Sequence, residues 1–385
     1  MKQICILCII SVCFMYSFIP VQANQQDFTF ASQAGSAYLM EYHTGKVLFK
    51  KRELEKYYPA SMTKMMGLLL LFEDLKDGSL RWDEQVRCSG VAASMGGSQI
   101  YLKENEEMSV HDLIKSVCIA SANDAIVALA EHVSGTQEAF VRRMNEKANA
   151  LRLENTHFMN ATGLHDANHY SCAKDMARIG QELLRTGGKK LLSITSLYDS
   201  YIRQDQPQSF WLVNTNKLLK QYPGADGLKT GFTSEAGSCI CATAQKGLVR
   251  MIAVVMHEPN SSIRNQECKE LFNYGFSCYQ QRIVYPKGKV LKNITIENGK
   301  PKQVGLKIKD DVVIIFQKGS QTKIKHIDYF MKTKQAPIQK GQYMGDARVI
   351  MSDGYKTHIP FYATDEIQTM SFFDYVKIAF LDFLG

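Results

Sequence analysis

The chain has 385 residues, enough for two or three domains with at least one sizeable core. Its 45% hydrophobic and 22% charged content is ordinary globular composition, which excludes a disordered or fibrous chain. The formal net charge is a modest +8, and neither a nucleic-acid partner nor a metal or other cofactor is expected.

The first residues read as a targeting segment. Lys2 gives a positive start, Ile4 to Ile19 is an apolar run, and Val21-Gln22-Ala23 has the small residues of a signal-peptidase site. Residues 1–23 are therefore expected to be removed on export, taking Cys5, Cys8 and Cys13 with them. None of these has Gly, Ala or Ser directly before it, so no lipid-modified cysteine is expected. Cys88, Cys118, Cys172, Cys239, Cys241, Cys268 and Cys278 remain, an odd number whose spacing fits no zinc pattern. They read as small buried hydrophobes, with Cys239 and Cys241 on one face of a strand.

Short strand-like runs at Ala37 to Leu39 and Lys46 to Phe49 flank His43-Thr44-Gly45, a hairpin pattern. After Pro59-Ala60 comes Ser61-Met62-Thr63-Lys64, then an apolar run through Phe72 that ends near Asp77-Gly78. A run apolar nearly all round predicts a buried helix. Ser61 and Lys64, three residues apart, then share one face at its mouth. A serine hydroxyl needs a nearby base to become a nucleophile, and a lysine serves only if its pKa falls. Ser171/Lys174 and Ser320/Lys323 repeat the spacing, but only Ser61 opens a long apolar helix.

Residues 86 to 105 read as loop. Val110 to Val133 reads as helix, broken near Ser121-Ala122-Asn123, with Asp124 as a cap for the second half. Residues 136 to 152 and 172 to 186 also read as helices. Gly227 to Ala244 and Val249 to His257 read as two strands joined near Lys246-Gly247, and Ile263 to Phe276 as a closing helix. Strands from both ends of this part are expected in one sheet with helices around it.

Near Tyr285-Pro286 the pattern changes to short alternating runs split by turns such as Asn298-Gly299, Lys318-Gly319 and Asp353-Gly354. A small all-β domain is expected over residues 286–369, following a catalytic domain over 24–285. The β module holds 15 basic and 8 acidic side chains, a net +7 that accounts for the charge excess of the exported chain. Residues 370–385 are apolar and aromatic apart from Ser371, Asp374, Lys377, Asp382 and the final glycine. As a helix they span about 24 Å, too short and too charged to cross a membrane comfortably. They read as an amphipathic helix lying on a membrane surface.

Two further clusters complete a chemistry. Ser121 can relay a proton to a leaving amine, and Asn123 can bind a substrate amide and hold Lys64. Lys229-Thr230-Gly231 sits on a predicted strand. There Lys229 supplies positive charge for a carboxylate, Gly231 lets another backbone approach, and Thr233 offers a hydroxyl on the same face.

Ser-x-x-Lys, Ser-x-Asn and Lys-Thr-Gly in this order resemble the penicillin-recognising serine acyl transferases. Pro59 to Lys64, Ala120 to Ala125, Gly163 to Ala177 and Asp226 to Gly231 resemble the low-molecular-weight D-alanyl-D-alanine carboxypeptidases. The resemblance implies a mixed α/β, β-lactamase-like transpeptidase domain that removes the terminal D-alanine of peptidoglycan pentapeptides through a Ser61 acyl-enzyme. It implies an oxyanion hole from the amides of Ser61 and Phe232, and an arginine near the substrate carboxylate, best matched by Arg264. It also implies β-lactams as covalent inhibitors and an outer-face location with peripheral membrane contact. The competing readings are a β-lactamase, a D,D-endopeptidase on the same site, and a non-catalytic wall-binding protein. A β-lactamase usually has aspartate where Ala122 stands, and its deacylating glutamate is not identified here.

Overall fold

The computed structural model describes residues 30–204 and 209–384. The expected signal peptide lies outside them. β1 (Ser36–Glu41) and β2 (Val47–Lys51) form the N-terminal hairpin, and a 3-10 turn at Ala60–Thr63 leads into α1 (Lys64–Asp77). β3 (Gln85–Arg87), α2 (Gly90–Ala93) and β4 (Glu107–Ser109) precede a helical block of α3 (Val110–Ile119), α4 (Asn123–Ser134), α5 (Gln137–Ala150) and α6 (Ala173–Thr195). The hairpin β5 (Asp199–Ile202) and β6 (Phe210–Val213), with α7 (Leu218–Gln221), leads to β7 (Ala225–Thr233), β8 (Gly237–Lys246), β9 (Val249–Glu258) and α8 (Ser261–Cys278).

The main sheet has the order β2-β1-β9-β8-β7, so strands from both ends of the domain share one sheet, as expected. Alternation along β8 shows how it is covered. Cys239 and Cys241 face the helical block, while Ile240, Ala242 and Ala244 face α8. Every residue of α1 from Lys64 to Phe72 is buried. Each large apolar side chain there contributes on the order of 1.5–3 kcal/mol. Gly78 ends α1 in the left-handed conformation, at φ 89°. The seven described cysteines are all unpaired.

Three expectations need correction. The run from Gly227 to Ala244 is two strands, not one: Thr233 Oγ1 accepts from Ala236 N and closes a turn between β7 and β8. α6 runs to Thr195 rather than residue 186, because the chain passes a non-helical Gly188 and resumes its turns. Asp124 does not cap α4, whose N-cap is Ala122. Its carboxylate instead accepts from the amides of Ile100, Leu102 and Ala125, tying the preceding loop to the helix start.

The second module comprises β10 (Tyr279–Tyr285), β11 (Val290–Thr295), β12 (Gly299–Lys300), β13 (Gln303–Ile308), β14 (Val312–Gln317), β15 (Ile324–Met331), β16 (Tyr343–Met351), β17 (Lys356–Ala363) and β18 (Gln368–Thr369). Its larger sheet has the order β11-β13-β17-β16-β15 around its own core. β10 precedes residue 286 yet pairs with β14, so this module's pairing begins at Tyr279. The tip of the β1–β2 hairpin joins the two modules. Gln281 Nε2 donates to Glu41 Oε1 (2.6 Å), Tyr355 OH to Thr44 O (3.0 Å), and Lys46 pairs with Asp353 at 2.9 Å. α9 (Phe372–Leu384) closes the chain, with Phe372, Phe373, Tyr375, Val376 and Phe380 exposed.

The loop around Gly163 packs against the turn that carries Ser61. Gly163 has φ 84°, and a Cβ there would lie 1.9 Å from Ala60 O. Gly78, at φ 89°, has open space around it. Gly163→Ala should therefore cost about 2 kcal/mol or more, seen as a fall of about 4 °C or more in the thermal midpoint. Gly78→Ala should cost visibly less. Equal losses in calorimetry would mean that the contact with Ala60 is slack.

Candidate active site

Ser61 and Lys64 are placed by the tight turn ahead of α1. Ala60 is held at φ 47°, and Met62 N donates back to Pro59 O at 3.1 Å. Lys64 is fully buried and Ser61 half-buried. Lys64 Nζ lies 3.0 Å from Ser61 Oγ and donates to Thr162 O at 2.7 Å. With one N–H spent on that carbonyl, a neutral amine can turn its lone pair to the serine hydroxyl.

Burial pushes the Lys64 pKa well below the ordinary lysine value, and the nearby Lys229 charge adds to the fall. Asp124 opposes it, but burial raises the pKa of that carboxyl too. Lys229 is itself buried on β7, with Nζ near Thr230 O at 3.2 Å, and burial pushes it down to about 7. Among the described residues neither lysine has an ion-pair partner, and the charge on Lys229 favours loss of the proton from Lys64.

β7 is an edge strand, and its Gly231 is where the two motifs meet. A Cβ at Gly231 would lie 2.7 Å from Pro59 O and 3.1 Å from Ser61 N. The glycine thus brings the β7 backbone against the turn that carries Ser61, the close approach expected of a strand glycine. Thr230 Oγ1 donates to Thr215 Oγ1 at 2.7 Å. Phe232 is exposed, and the Thr233 hydroxyl serves the turn after β7.

Ser121 sits between α3 and α4 at φ 64°. Its Oγ is buried and has no hydrogen-bond partner among the described residues. A buried hydroxyl without a partner is costly in the free protein and is satisfied by a ligand that supplies one. Asn123 does not hold Lys64 as expected. Its Nδ2 donates to Gly96 O and its N to Ser98 O, both at 2.7 Å, and the Thr162 carbonyl holds the lysine instead. Arg264 is buried, with Nε and Nη2 donating to Asn265 Oδ1 and Nη1 to Cys239 O, which uses three of its five N–H groups inside the domain. It reaches Lys229 only as a charge that lowers that pKa.

Sequence reasoning missed Thr162, because its contribution is a backbone carbonyl. It also missed His169. Met159 N donates to His169 Nδ1, which leaves Nε2–H to donate to Thr63 Oγ1 at 2.7 Å. Burial pushes this histidine down to about 4, so it is neutral and braces the turn between Ser61 and Lys64.

The sequence profile of the D-alanyl-D-alanine carboxypeptidases matches residues 21–260, and that of the penicillin-binding protein 5 C-terminal domain matches residues 279–369. The chain belongs to the D-alanyl-D-alanine carboxypeptidase family. It is 42% identical over 349 residues to D-alanyl-D-alanine carboxypeptidase DacF of Bacillus subtilis (strain 168), covering 90% of this chain and 89% of that relative. Penicillin-binding protein 5 from Haemophilus influenzae has a similar structure, with a TM-score of 0.72 at 32% identity over 87% of this chain and 98% of that one. The ampicillin-bound form of penicillin-binding protein D2 from Listeria monocytogenes matches with a TM-score of 0.58 at 28% identity, over 65% of this chain and 99% of that one. Within this family member the Ser61 turn and the edge strand β7 meet at Gly231, and the Lys229 charge acts on Lys64.

The electrostatics make a direct prediction. In protein with labelled lysine nitrogens, the Lys64 amine should titrate well below the free lysine value by NMR. Lys229→Gln should move its titration upward, since one lowering charge is gone. A Lys64 that titrates near 10.4, the free lysine value, would contradict the site as described.

Proposed function

We propose that the protein removes the terminal D-alanine from peptidoglycan pentapeptides through an acyl-enzyme on Ser61. The observation that carries this reading is the buried Lys64 amine, 3.0 Å from Ser61 Oγ and with no ion-pair partner among the described residues. In the forward step Ser61 Oγ attacks the carbonyl of the penultimate D-alanine, and Lys64 takes its proton. The amides of Ser61 and Phe232 receive the oxyanion. The unpartnered Ser121 hydroxyl gives its proton to the leaving amine and takes one back from Lys64, so D-alanine departs and the lysine is neutral again. Water then attacks the ester, Lys64 takes a proton from it, and that proton is returned to Ser61 Oγ as the ester bond breaks and the second product leaves.

Lys229 in its charged form, with Thr230, holds the substrate's terminal carboxylate. Asn123, Gly231 and Thr233 frame the bound backbone. Arg264 contributes only its field. β-Lactams follow the same first step, but their leaving nitrogen stays tethered, so the acyl-enzyme persists.

The intact chain is proposed to act after export, on the outer face of the cytoplasmic membrane. None of the described helices is long and apolar enough to cross a membrane. α9 meets its module through polar contacts at its base: Tyr375 OH donates to Asn298 Oδ1 at 2.7 Å, and Asp374 pairs with Lys300. Phe372 and Phe373, 76% and 81% exposed, are left to a surface other than the protein's own. A lipid interface with anionic headgroups fits both these rings and the net +7 of the module.

Mass spectrometry of a pentapeptide incubated with the protein should show loss of one alanine. Lys229→Ala should weaken substrates with a free C-terminus far more than the same peptides amidated there. Cross-linked products, or equal losses on both substrates, would defeat the reading.

Deletion of Met370 to Gly385 should release the protein from vesicles of anionic lipid while leaving peptidase activity intact. Full-length protein that ignores such vesicles would exclude the anchor.

A further inference from the structure

The β module meets the catalytic domain at one end and α9 at the other. β16 runs from Tyr343 to Met351, nine residues and about 30 Å of strand. The turn beyond Met351 carries Asp353 and Tyr355, which hold Lys46 and Thr44 of the hairpin tip. At the opposite end Met370 N donates to Asn298 O at 2.8 Å, and Tyr375 OH donates to the Asn298 side chain. The segment after β15 runs beside the same turn. Glu297 N donates to Lys334 O at 2.8 Å, and Ala336 N to Glu297 O at 3.1 Å. The β15–β16 connection and the first turn of α9 therefore flank one pair of residues, Glu297 and Asn298.

That end is basic and aromatic. Residues 330–345 hold Lys332, Lys334 and Lys340 and no acidic residue. The three lysines are exposed and form no ion pair among the described residues. Strand alternation sends Tyr329, Met331 and Met344 toward the module's core, which turns Phe330 and Tyr343 out to solvent. Lys332 Nζ lies 5.8 Å from the Tyr343 ring, and the Arg348 guanidinium 4.9 Å from the Phe330 ring. Asp346, opposite Phe330, accepts from Tyr343 OH, and Asp328 pairs with Arg348 at 2.7 Å. These two acids are engaged within the module, and the three lysines are not.

Exposed rings beside uncompensated cations suit a layer that is apolar on one side and anionic on the other. Aromatic side chains settle at the headgroup level of a bilayer, and lysine stems reach past them to the phosphates. An interfacial helix binds through its apolar area and through attraction to anionic lipid. α9 has the first, but it carries Asp374 and Asp382 against Lys377 alone. The charge it lacks stands beside it, on the β15–β16 connection.

Resting on the outer-face location proposed above, we infer that this end of the β module is a second membrane-contact surface, separate from α9. Lys332, Lys334 and Lys340 take the anionic headgroups of a lipid bilayer, and Phe330 and Tyr343 enter the interface.

The test is partition of the full-length protein onto vesicles of phosphatidylcholine, alone or mixed with phosphatidylglycerol. Each basic side chain held at an anionic leaflet strengthens binding about fivefold. Lys332→Gln, Lys334→Gln and Lys340→Gln combined should weaken binding to the mixed vesicles by about tenfold or more, and leave binding to the neutral ones unchanged. A matched triple at the far end of the module, Lys323→Gln, Lys325→Gln and Lys356→Gln, removes the same charge. It should cost less than about threefold, because those side chains stand beyond a Debye length from the lipid. Phe330→Ser with Tyr343→Ser should weaken binding to both kinds of vesicle. Amide hydrogen exchange over residues 330–345 should slow on the mixed vesicles. An unchanged thermal midpoint checks the fold of each variant.

Equal losses from the two triples, or bound protein whose residues 330–345 exchange as they do in solution, would overturn this surface and leave the α9 anchor standing. Binding that survives deletion of Met370 to Gly385 but not the first triple would defeat the anchor alone. Full-length protein that ignores both kinds of vesicle would defeat both. Soluble polyphosphate that slows the same amides as much as vesicles do would assign the lysines to a free polyanion and overturn the lipid surface.

Discussion

Burying an amine without a carboxylate on it is costly, and the catalytic domain does this twice within one cleft. Lys64 and Lys229 are both essentially inaccessible, and each lies in the other's neighbourhood. Charging either is opposed by lost hydration, and charging both by their repulsion as well. Lys64, lowered by burial and by the Lys229 charge, gives up its proton more readily than a free lysine and lies 3.0 Å from Ser61 Oγ. On the function proposed above, this amine is the base for the Ser61 hydroxyl. The surrounding fold supplies what this amine needs: a helix apolar on all sides, one carbonyl from Thr162, and a loop fixed by neutral His169.

The second constraint is backbone approach. Ala60 holds a conformation unusual for a residue with a Cβ, and both of its faces meet glycine. Gly163 touches it from the loop that holds Lys64. Gly231 touches it from β7, which carries Lys229. The Ser61 turn, the Gly163 loop and β7 are distant in sequence, and these two contacts hold them against one another. The β module stands outside this arrangement and meets the catalytic domain in part through the tip of the β1–β2 hairpin, while α9 is tied to that module at Asn298 and Lys300.

Much of this was legible in the sequence because chemistry and periodicity agreed there. The apolar run after Ser61 marked the buried helix, and the alternating runs marked the second module. Gly231 was readable as a close approach because a strand glycine has few other uses. What could not be read was local and backbone-borne. The turn after Thr233 hides in a run of strand-forming residues, so two strands read as one. Gly188 lets α6 bend and continue, although glycine ordinarily argues for a stop. Asn123 and Arg264 carry side chains suited to a ligand, but part of their donor capacity goes to tertiary neighbours at Gly96, Asn265 and Cys239, which sequence does not show. The Thr162 carbonyl has no side-chain signal at all.

The account depends on Ser61 being activated by a neutral Lys64. Covalent labelling by penicillin, followed by peptide mapping and timed in unaltered protein and in Lys64→Arg, tests this most directly. Arginine keeps the charge but cannot give up a proton. The account predicts label on Ser61 alone and acylation at least ~10²-fold slower in Lys64→Arg. Label on Ser171 or Ser320, or near-normal acylation of the arginine variant, would contradict it.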